Sequence, residues 1–103
     1  MNTILKTNYF TEWFKSLKDL RGRAAIQKRI DRAEEGNFGD HKSVGDGVFE
    51  MRLTVGPGYR VYYSYAGGIV YILLLGGDKS SQVHDIAKAK SIWDEIQKEN
   101  RNG

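Results

Sequence analysis

The sequence predicts an α+β domain in which helices pack on an antiparallel sheet, because the spacing of its apolar residues changes along the chain. A period near 3.6 predicts two helices before residue 36, a period of two predicts three strands over residues 49–75, and a helical period returns after residue 80. A length of 103 residues fits a single domain covering residues 1–103. The predicted order of elements is β-α-α-β-β-β-α.

The N-terminal part is predicted to contain a short strand and a helical hairpin. Asn2–Lys6 is typical of an edge strand, and Thr7 or Asn8 can cap the helix that follows. The apolar positions of that helix are Tyr9, Phe10, Trp13, Phe14 and Leu17. Asp19–Gly22 interrupts the pattern, and Arg23–Glu35 is predicted to form the second helix.

The middle of the chain is predicted to fold into two hairpins. Gly36–Gly47 is polar and Gly-rich and is predicted to be a loop. Three strands follow, over Phe49–Thr54, Tyr59–Tyr65 and Ile69–Leu75, separated by Gly-rich turns and ended by two further glycines. Ser80–Asn100 is predicted to be the last helix.

Strand alternation divides the side chains of this sheet between two faces. If the hairpins contain no bulge, Arg52 pairs with Tyr62 and Glu50 pairs with Ser64. One face is then apolar and carries Phe49, Met51, Leu53, Val61, Tyr63, Tyr65, Val70, Ile72 and Leu74. The other face carries Glu50, Arg52, Arg60 and Tyr62 around Leu73 and Leu75. A bulge would change the assignment downstream of it.

Composition excludes several classes of protein. The chain has no Cys, which excludes disulfides, thiol nucleophiles and thiolate metal sites. Its longest apolar run, Ile69–Leu75, is far shorter than the ~20 residues of a membrane-spanning helix. The N-terminus lacks the apolar stretch of a signal peptide, so a cytoplasmic protein is expected. A net charge of +3 permits a polyanionic partner without requiring one.

Three runs of residues together resemble the addiction-module killer proteins, the phage-type HigB-like branch of the RelE/ParE toxin superfamily. They are Gly45-Asp46-Gly47-Val48-Phe49-Glu50-Met51-Arg52, Gly56-Pro57-Gly58-Tyr59-Arg60-Val61-Tyr62-Tyr63 and Leu73-Leu74-Leu75-Gly76-Gly77-Asp78-Lys79-Ser80-Ser81-Gln82. The resemblance covers essentially the whole chain. It implies a compact RelE-like fold and the toxin of a type II toxin–antitoxin module.

The resemblance implies two alternative targets. RelE-like and HigB-like members cut mRNA in the ribosomal A site and so inhibit translation. ParE-like members share the fold and inhibit DNA gyrase without nuclease activity, and a shared fold does not decide between these targets. An inert relative that only binds its antitoxin is a third alternative. The implied partners are the ribosome, mRNA and a cognate antitoxin, commonly a helix-turn-helix protein.

Metal-free RNA cleavage needs a base for the ribose 2′-OH, cations at the phosphate and an acid for the leaving oxygen. The resemblance implies that Arg60 contacts the scissile phosphate and that Lys79 lies near a basic catalytic position. His84 is the best acid–base candidate by chemistry, because its pKa lies nearest neutrality. Each of the three has a structural alternative: Arg60 paired with Glu50, Lys79 solvated, and His84 at the surface of a helix.

Three further residues are predicted to position RNA. Lys42 lies in a region where RelE-like toxins carry basic residues, and Arg52 shares a face with Arg60. Tyr62 is a candidate for stacking on a base, although packing in the sheet against Leu73 is the slightly favoured interpretation. Two His residues without Cys or clustered carboxylates give no metal-site spacing, so no metal or other cofactor is expected.

Overall fold

A computed structural model describes residues 1–102 as five strands and three α-helices. The elements are β1 (Thr3–Lys6), α1 (Asn8–Ser16), α2 (Leu20–Glu34), β2 (His41–Gly45), β3 (Val48–Arg52), β4 (Tyr59–Gly67), β5 (Val70–Asp78) and α3 (Gln82–Asn102), with one 3₁₀ turn (Lys79–Ser81) before α3. The strand order is β1-β5-β4-β3-β2. β1 is parallel to β5 and the other pairs are antiparallel, which confirms the predicted α+β class.

The two faces of the sheet carry separate hydrophobic clusters. Helices α1 and α2 cover the first face, where the buried cluster includes Phe10, Ile26, Ile30, Met51, Leu53, Tyr59, Val61, Tyr63 and Leu73. Helix α3 covers the second face, where the cluster includes Val48, Tyr62, Leu74, Leu75, Ala89, Ile92 and Trp93. The sheet is therefore the central layer of the fold.

Side-chain caps set the beginnings of the first two helices. Thr7 precedes α1, and its hydroxyl accepts a hydrogen bond from the Phe10 backbone N–H at 3.1 Å. Asp19 precedes α2 and accepts from the Gly22 N–H at 3.0 Å. The predicted start of the second helix at Arg23 is therefore wrong by three residues, because Asp19 caps the helix and does not interrupt it.

The polar segment predicted as a loop contains an additional strand. His41–Gly45 forms β2 and pairs with β3, so the order of elements is β-α-α-β-β-β-β-α. This strand lies at the edge of the sheet, and its first three side chains are exposed. Backbone pairing holds it in place, and an edge strand without a buried face leaves no period-two apolar pattern in the sequence.

The register of the hairpins differs from the prediction in two ways. Arg52 lies opposite Arg60, and Glu50 lies opposite Tyr62, a shift of two residues that leaves every side chain on its predicted face. In contrast, a bulge between β4 and β5 pairs Tyr62 with Leu75 but Tyr63 with Leu73. The predicted faces of β5 are therefore wrong beyond the bulge.

The bulge redistributes the side chains of β5 between the two clusters. Leu73 lies in the first cluster with Tyr71 packed against it, whereas Ile72 and Leu74 belong with the second. The strand also continues through Gly76 and Gly77, which were predicted to end it. A Cβ at Gly76 would collide with the Trp13 ring, and one at Gly77 would collide with the Asp85 carboxylate. The two glycines thus admit large side chains from opposite faces.

Candidate functional site

Three cationic side chains meet at an open cavity where β3 ends and β4 begins. Arg52 and Arg60 line this cavity of about 500 Å³, and Lys79 reaches it from the turn before α3. The complete lining is Asp40, Arg52, Leu53, Thr54, Gly56, Pro57, Gly58, Arg60 and Lys79. Three cations and one carboxylate give the cavity a net positive charge, so it favours an anion.

The two arginines are direct neighbours across the β3–β4 pair. Residues opposite each other in an antiparallel pair have Cβ atoms about 4.5–5.5 Å apart, and like charges at that spacing repel. Each arginine has a carboxylate partner: Asp40 for Arg52 and Glu50 for Arg60. The carboxylates offset the repulsion and allow both guanidinium groups to remain at the cavity.

Arg60 is held in one orientation by the backbone around it. Its Nη1 donates to the carbonyls of Gly58 at 3.0 Å and Tyr59 at 3.1 Å, and weakly to that of Leu53 at 3.5 Å. Its Nε lies 3.7 Å from Glu50 Oε1, and only 11% of the side chain is exposed. An arginine held this way presents the rest of its guanidinium to a ligand without losing rotamer freedom on binding.

Glu50 is a fully buried carboxylate beneath the start of α3. One oxygen, Oε2, accepts a hydrogen bond of 2.7 Å from Gln82 Nε2, and the other faces Arg60. The hydroxyl of Tyr62 is buried beside them with no hydrogen-bond partner within residues 1–102. Burial, with the charge of Glu50 as a smaller cause, raises the pKa of Tyr62 far above its usual value, so the phenol stays neutral.

Asp40 anchors the other arginine. Its Oδ1 accepts from Arg52 Nη2 at 3.0 Å, and this hydrogen bond is the largest cause of a lowered pKa at Asp40. Asp40 is therefore ionised at neutral pH and is a poor proton acceptor. Arg29 fixes the adjoining loop, because its guanidinium donates to the carbonyls of Arg52, Phe38 and Asp40 at 2.8–3.1 Å.

Lys79 is placed by a capped turn. Its backbone N–H donates to the Gly58 carbonyl at 2.9 Å, which ties the turn to the β3–β4 loop. Asp78 caps the turn by accepting from the Ser80 backbone N–H at 2.8 Å and from the Ser80 hydroxyl. Hydrogen bonding with Ser80 is the main cause of a lowered pKa at Asp78. The Lys79 side chain is exposed at the rim of the cavity.

The other predicted site residues do not line this cavity. His84 is exposed in the first turn of α3, and Lys42 is exposed on β2 opposite Glu50. Tyr62 is fully buried in the cluster under α3. The prediction that Tyr62 stacks on a base is therefore wrong, because alternation along the strand specifies its face but not the helix that covers that face.

The cavity can bind a phosphate but contains few groups for proton transfer. Arg60 offers a planar set of donors, and the ammonium group of Lys79 adds three N–H donors at the rim. Within residues 1–102, no three His, Asp or Glu side chains lie close enough together to hold a metal ion. The arrangement is suited to electrostatic stabilisation of a charged phosphate.

Three residues that support the site were missed by the sequence analysis: Asp40, Gln82 and Arg29. Asp40 and Arg29 act through a loop whose path is set by β2, the strand that the sequence did not reveal. Gln82 reaches Glu50 only because α3 starts directly above it. Glu50 itself carried a signal, since a carboxylate beside Arg60 in a strand pair predicts an ion pair.

Comparison with known proteins gives one informative relative. The chain is 50% identical over 93 residues to a protein of Haemophilus influenzae described as uncharacterized, and the match covers 90% of this chain and 94% of that protein. The chain belongs to the same family. No protein-family model matches the chain, and no solved structure matches it. The match spans nearly the whole domain, including the strands that build the cavity.

None of the helices within residues 1–102 is both long enough and apolar enough to cross a lipid bilayer.

Proposed function

We propose that this protein is the toxin of a type II toxin–antitoxin module, a metal-free endonuclease that cleaves mRNA in the ribosomal A site and inhibits translation. The observation that carries the proposal is the meeting of Arg52, Arg60 and Lys79 at one open cavity of about 500 Å³. The resemblance to RelE/ParE toxins implies a phosphate contact for Arg60 and a nearby basic catalytic position for Lys79, and Arg52 shares a face with Arg60. An α+β fold with a central sheet is consistent with that superfamily.

The proposed reaction uses the cations of the cavity. A water molecule accepts the proton of the ribose 2′-OH as the 2′-oxygen attacks the adjacent phosphorus. The bond to the 5′-oxygen breaks, and the products are a 2′,3′-cyclic phosphate and a 5′-OH. Arg60 stabilises the negative charge that develops on the phosphate. Lys79 donates a proton to the leaving 5′-oxygen, and Arg52 positions the neighbouring backbone.

The surface next to the cavity supports an RNA partner. A second, smaller cavity shares Leu53 and Thr54 with the first and is lined by Lys28, Arg29 and Arg32 of α2. Cations along a continuous surface bind a phosphate backbone without regard to sequence. We propose that this part of α2 contacts ribosomal RNA while mRNA enters the cavity.

The proposed biological context follows from the same resemblance. A cognate antitoxin, of the helix-turn-helix type common in this branch, would bind the toxin and keep it inactive in the cytoplasm. Covering the cavity or displacing Lys79 from its rim would be sufficient for inhibition.

The test is a brief induction in bacteria followed by primer extension on abundant mRNAs. Wild-type protein is expected to arrest growth and to create new 5′ ends in phase with codons. Lys79→Ala should lose these ends, whereas Lys18→Ala, a change of an exposed lysine away from the cavity, should retain them. Retained cleavage in Lys79→Ala would contradict the role of this residue, and no cleavage by wild type would contradict the nuclease.

The phosphate role of Arg60 needs a variant that keeps the fold. Arg60→Ala alone would leave the Glu50 carboxylate buried without its partner. The double variant Glu50→Gln/Arg60→Gln removes both charges together and preserves an acceptor for Gln82. It should be folded by circular dichroism and inactive in the cleavage assay. A folded and active double variant would contradict the proposed phosphate contact.

One observation favours inhibition of DNA gyrase as a second candidate function. His84, the predicted acid–base residue, lies outside the cavity. The residues that meet there therefore resemble a binding surface more than a complete set of catalytic groups. A parallel assay for gyrase-dependent DNA breaks separates the two. Breaks without mRNA cleavage would replace the nuclease with a ParE-like inhibitor.

A further inference from the structure

Another concave surface of the protein, separate from the two cavities described above, is built almost entirely from aromatic rings. It is a groove of about 250 Å³ lined by Phe38, His41, Phe49, Tyr63, Tyr65 and Tyr71. We call it the aromatic groove. Among its lining residues there is no carboxylate and no aliphatic side chain. Four of the rings also pack in or against the first cluster: Phe38, Phe49, Tyr63 and Tyr71. The proposed reaction does not use this groove.

The rings form an ordered platform across three neighbouring strands. Phe49 pairs with Tyr63 between β3 and β4, and Tyr65 pairs with Tyr71 between β4 and β5. Phe38 stacks on Tyr63, with ring centroids 5.0 Å apart and planes inclined by 17°. Phe49 stacks on the same Tyr63 ring at 5.6 Å and 25°. Tyr63 is itself buried, and Tyr65, which is 46% exposed, brings the platform to the surface. Aromatic side chains on a sheet are a known platform for stacking bases of single-stranded RNA.

The groove adjoins the cavity lined by Arg52, Arg60 and Lys79, which we call the cationic cavity. Asp40 lines the cavity, and the next residue, His41, lines the groove. Arg29 joins the two sites, because its guanidinium donates to carbonyls of Arg52 and Asp40 on the cavity side and of Phe38 on the groove side. Because consecutive residues line the two sites, the sites adjoin, and one flexible chain can contact both.

We propose that the aromatic groove receives a nucleobase of the same RNA whose phosphate binds in the cationic cavity. This inference rests on the proposed function and adds a second contact for the same substrate. RNA joins flat nucleobases to anionic phosphates, and this combination matches an aromatic groove beside a cavity lined by cations. The groove is smaller than the ~300–1,000 Å³ typical of sites for drug-sized ligands, as a pocket for one base should be.

Polar atoms at the groove can read the edge of such a base. Nδ1 of His41 lies 2.8 Å from the Gly39 carbonyl, so it donates that hydrogen bond, and Nε2 is the ring nitrogen left to contact a base. Burial raises the pKa of Tyr63 to about 12, so its phenol remains a neutral donor near pH 7. A peptide helix would instead require a longer apolar groove with anchors at i, i+4 spacing.

The first test compares two probes of equal charge: a fluorescent adenosine hexaribonucleotide and a hexamer of abasic ribose phosphates. Wild type should bind the adenosine hexamer roughly five- to hundred-fold more tightly, which is the usual effect of stacking one base on aromatic side chains. Tyr65→Leu should reduce this ratio several-fold. Tyr9→Leu is the matched control, because Tyr9 is 45% and Tyr65 46% exposed, but Tyr9 lies outside the groove.

A second measurement requires no variant. A hexamer containing 5-iodouridine, irradiated in complex with wild type, should crosslink to peptides that contain groove residues such as Tyr65 or Tyr71. Equal affinity for the two hexamers, or crosslinks only elsewhere, would overturn the base site and leave the cationic cavity intact. Failure of wild type to bind either hexamer would also overturn the base site, whereas the proposed function, which requires the ribosome, is decided separately by the primer-extension assay.

Discussion

The two faces of the sheet are buried by different means. On the face covered by α1 and α2, apolar side chains such as Phe10, Ile26 and Met51 fill the space between helix and strand. On the face covered by α3, apolar residues share the interior with Glu50, Tyr62 and Asp85, of which Glu50 and Tyr62 have no exposed surface at all. The same sheet therefore has one apolar interior and one mixed interior.

The mixed interior lies next to the cationic cavity, and this proximity explains why it contains a buried carboxylate. A buried carboxylate is costly unless a cation or hydrogen-bond donor compensates it. Glu50 is compensated by Arg60 and Gln82, and in return it fixes the guanidinium at the cavity. The comparison indicates that the first face stabilises the fold through apolar packing. The second face buries fewer apolar groups, and its buried Glu50 holds the Arg60 side chain in one position at the cavity.

The largest effect is expected on the apolar face, from Trp13→Ala. The ring of Trp13 fills the space that Gly76 leaves open and contacts Phe10 and Tyr59. Its removal should lower the free energy of unfolding by about 3–5 kcal/mol, measured by urea denaturation followed by circular dichroism. Lys15→Ala, on the exposed side of the same helix, should change it by no more than about 0.5 kcal/mol. A small effect of Trp13→Ala would mean that this face does not depend on close packing.

On the mixed face, Arg60→Ala should lower the free energy of unfolding by about 3 kcal/mol, because the Glu50 carboxylate loses its cation. The double variant Glu50→Gln/Arg60→Gln should regain most of this loss in the same measurement. Arg21→Ala, which removes an exposed arginine of α2, is the matched control and should be nearly neutral. No recovery in the double variant would show that Arg60 acts through packing and not through its charge.

A smaller effect should come from the polar contact at the margin of the apolar face. The hydroxyl of the buried Tyr59 donates to Asp19 Oδ2 at 2.8 Å. Tyr59→Phe keeps the ring and removes this hydrogen bond, so stability should fall by about 1 kcal/mol, seen as a lower Tm. An unchanged Tm would mean that water replaces the lost bond without cost, and that the margin behaves as solvent-exposed surface.

The smallest effect should be a change in acid sensitivity. The backbone N–H of Gly22, followed by the Tyr59 hydroxyl, holds the pKa of Asp19 below its ordinary value of 3.8. The ionised form is thus favoured in the folded state, and this stabilisation is present above pH 3.8 and is lost as pH falls through the folded pKa. Asp19→Asn should therefore be less stable than wild type at pH 7.

The pH profile of that variant supplies its own control. The stability difference between wild type and Asp19→Asn should shrink when both are unfolded by urea at successively lower pH. A constant difference from neutral to acidic pH would show that the cap contributes through hydrogen bonding alone. That result would mean that the charge of Asp19 does not contribute to the stability of the apolar face.

Much of the candidate site was predictable because the resemblance and the strand alternation agree. Arg52 and Arg60 were predicted to share a face, and a register shift of two residues preserves that relation. Lys79 was predicted from its motif at the entry to the last helix, and it does line the cavity. Alternation says nothing about what covers a face, which is why the prediction for Tyr62 failed.

Other parts of the site depend on contacts distant in the chain. Asp40 meets Arg52 only because β2 pairs with β3, and its polar edge strand has no apolar period from which it could be predicted. Gln82 meets Glu50 through the placement of α3. The aromatic groove depends on the bulge near Leu74, which turns Tyr71 towards Tyr63 and not away from it.

By itself, the sequence determined the α+β class, the helical hairpin, the three central strands and the face of each residue on β3 and β4. These follow from local spacing, because helices and strands have fixed periods of 3.6 and 2. The tertiary structure alone decided the bulge in β5, the edge strand β2 and the burial of Glu50 and Tyr62 beneath α3. Those features depend on backbone pairing and helix packing between distant segments, and hydrophobic periodicity within one segment carries no record of its partner.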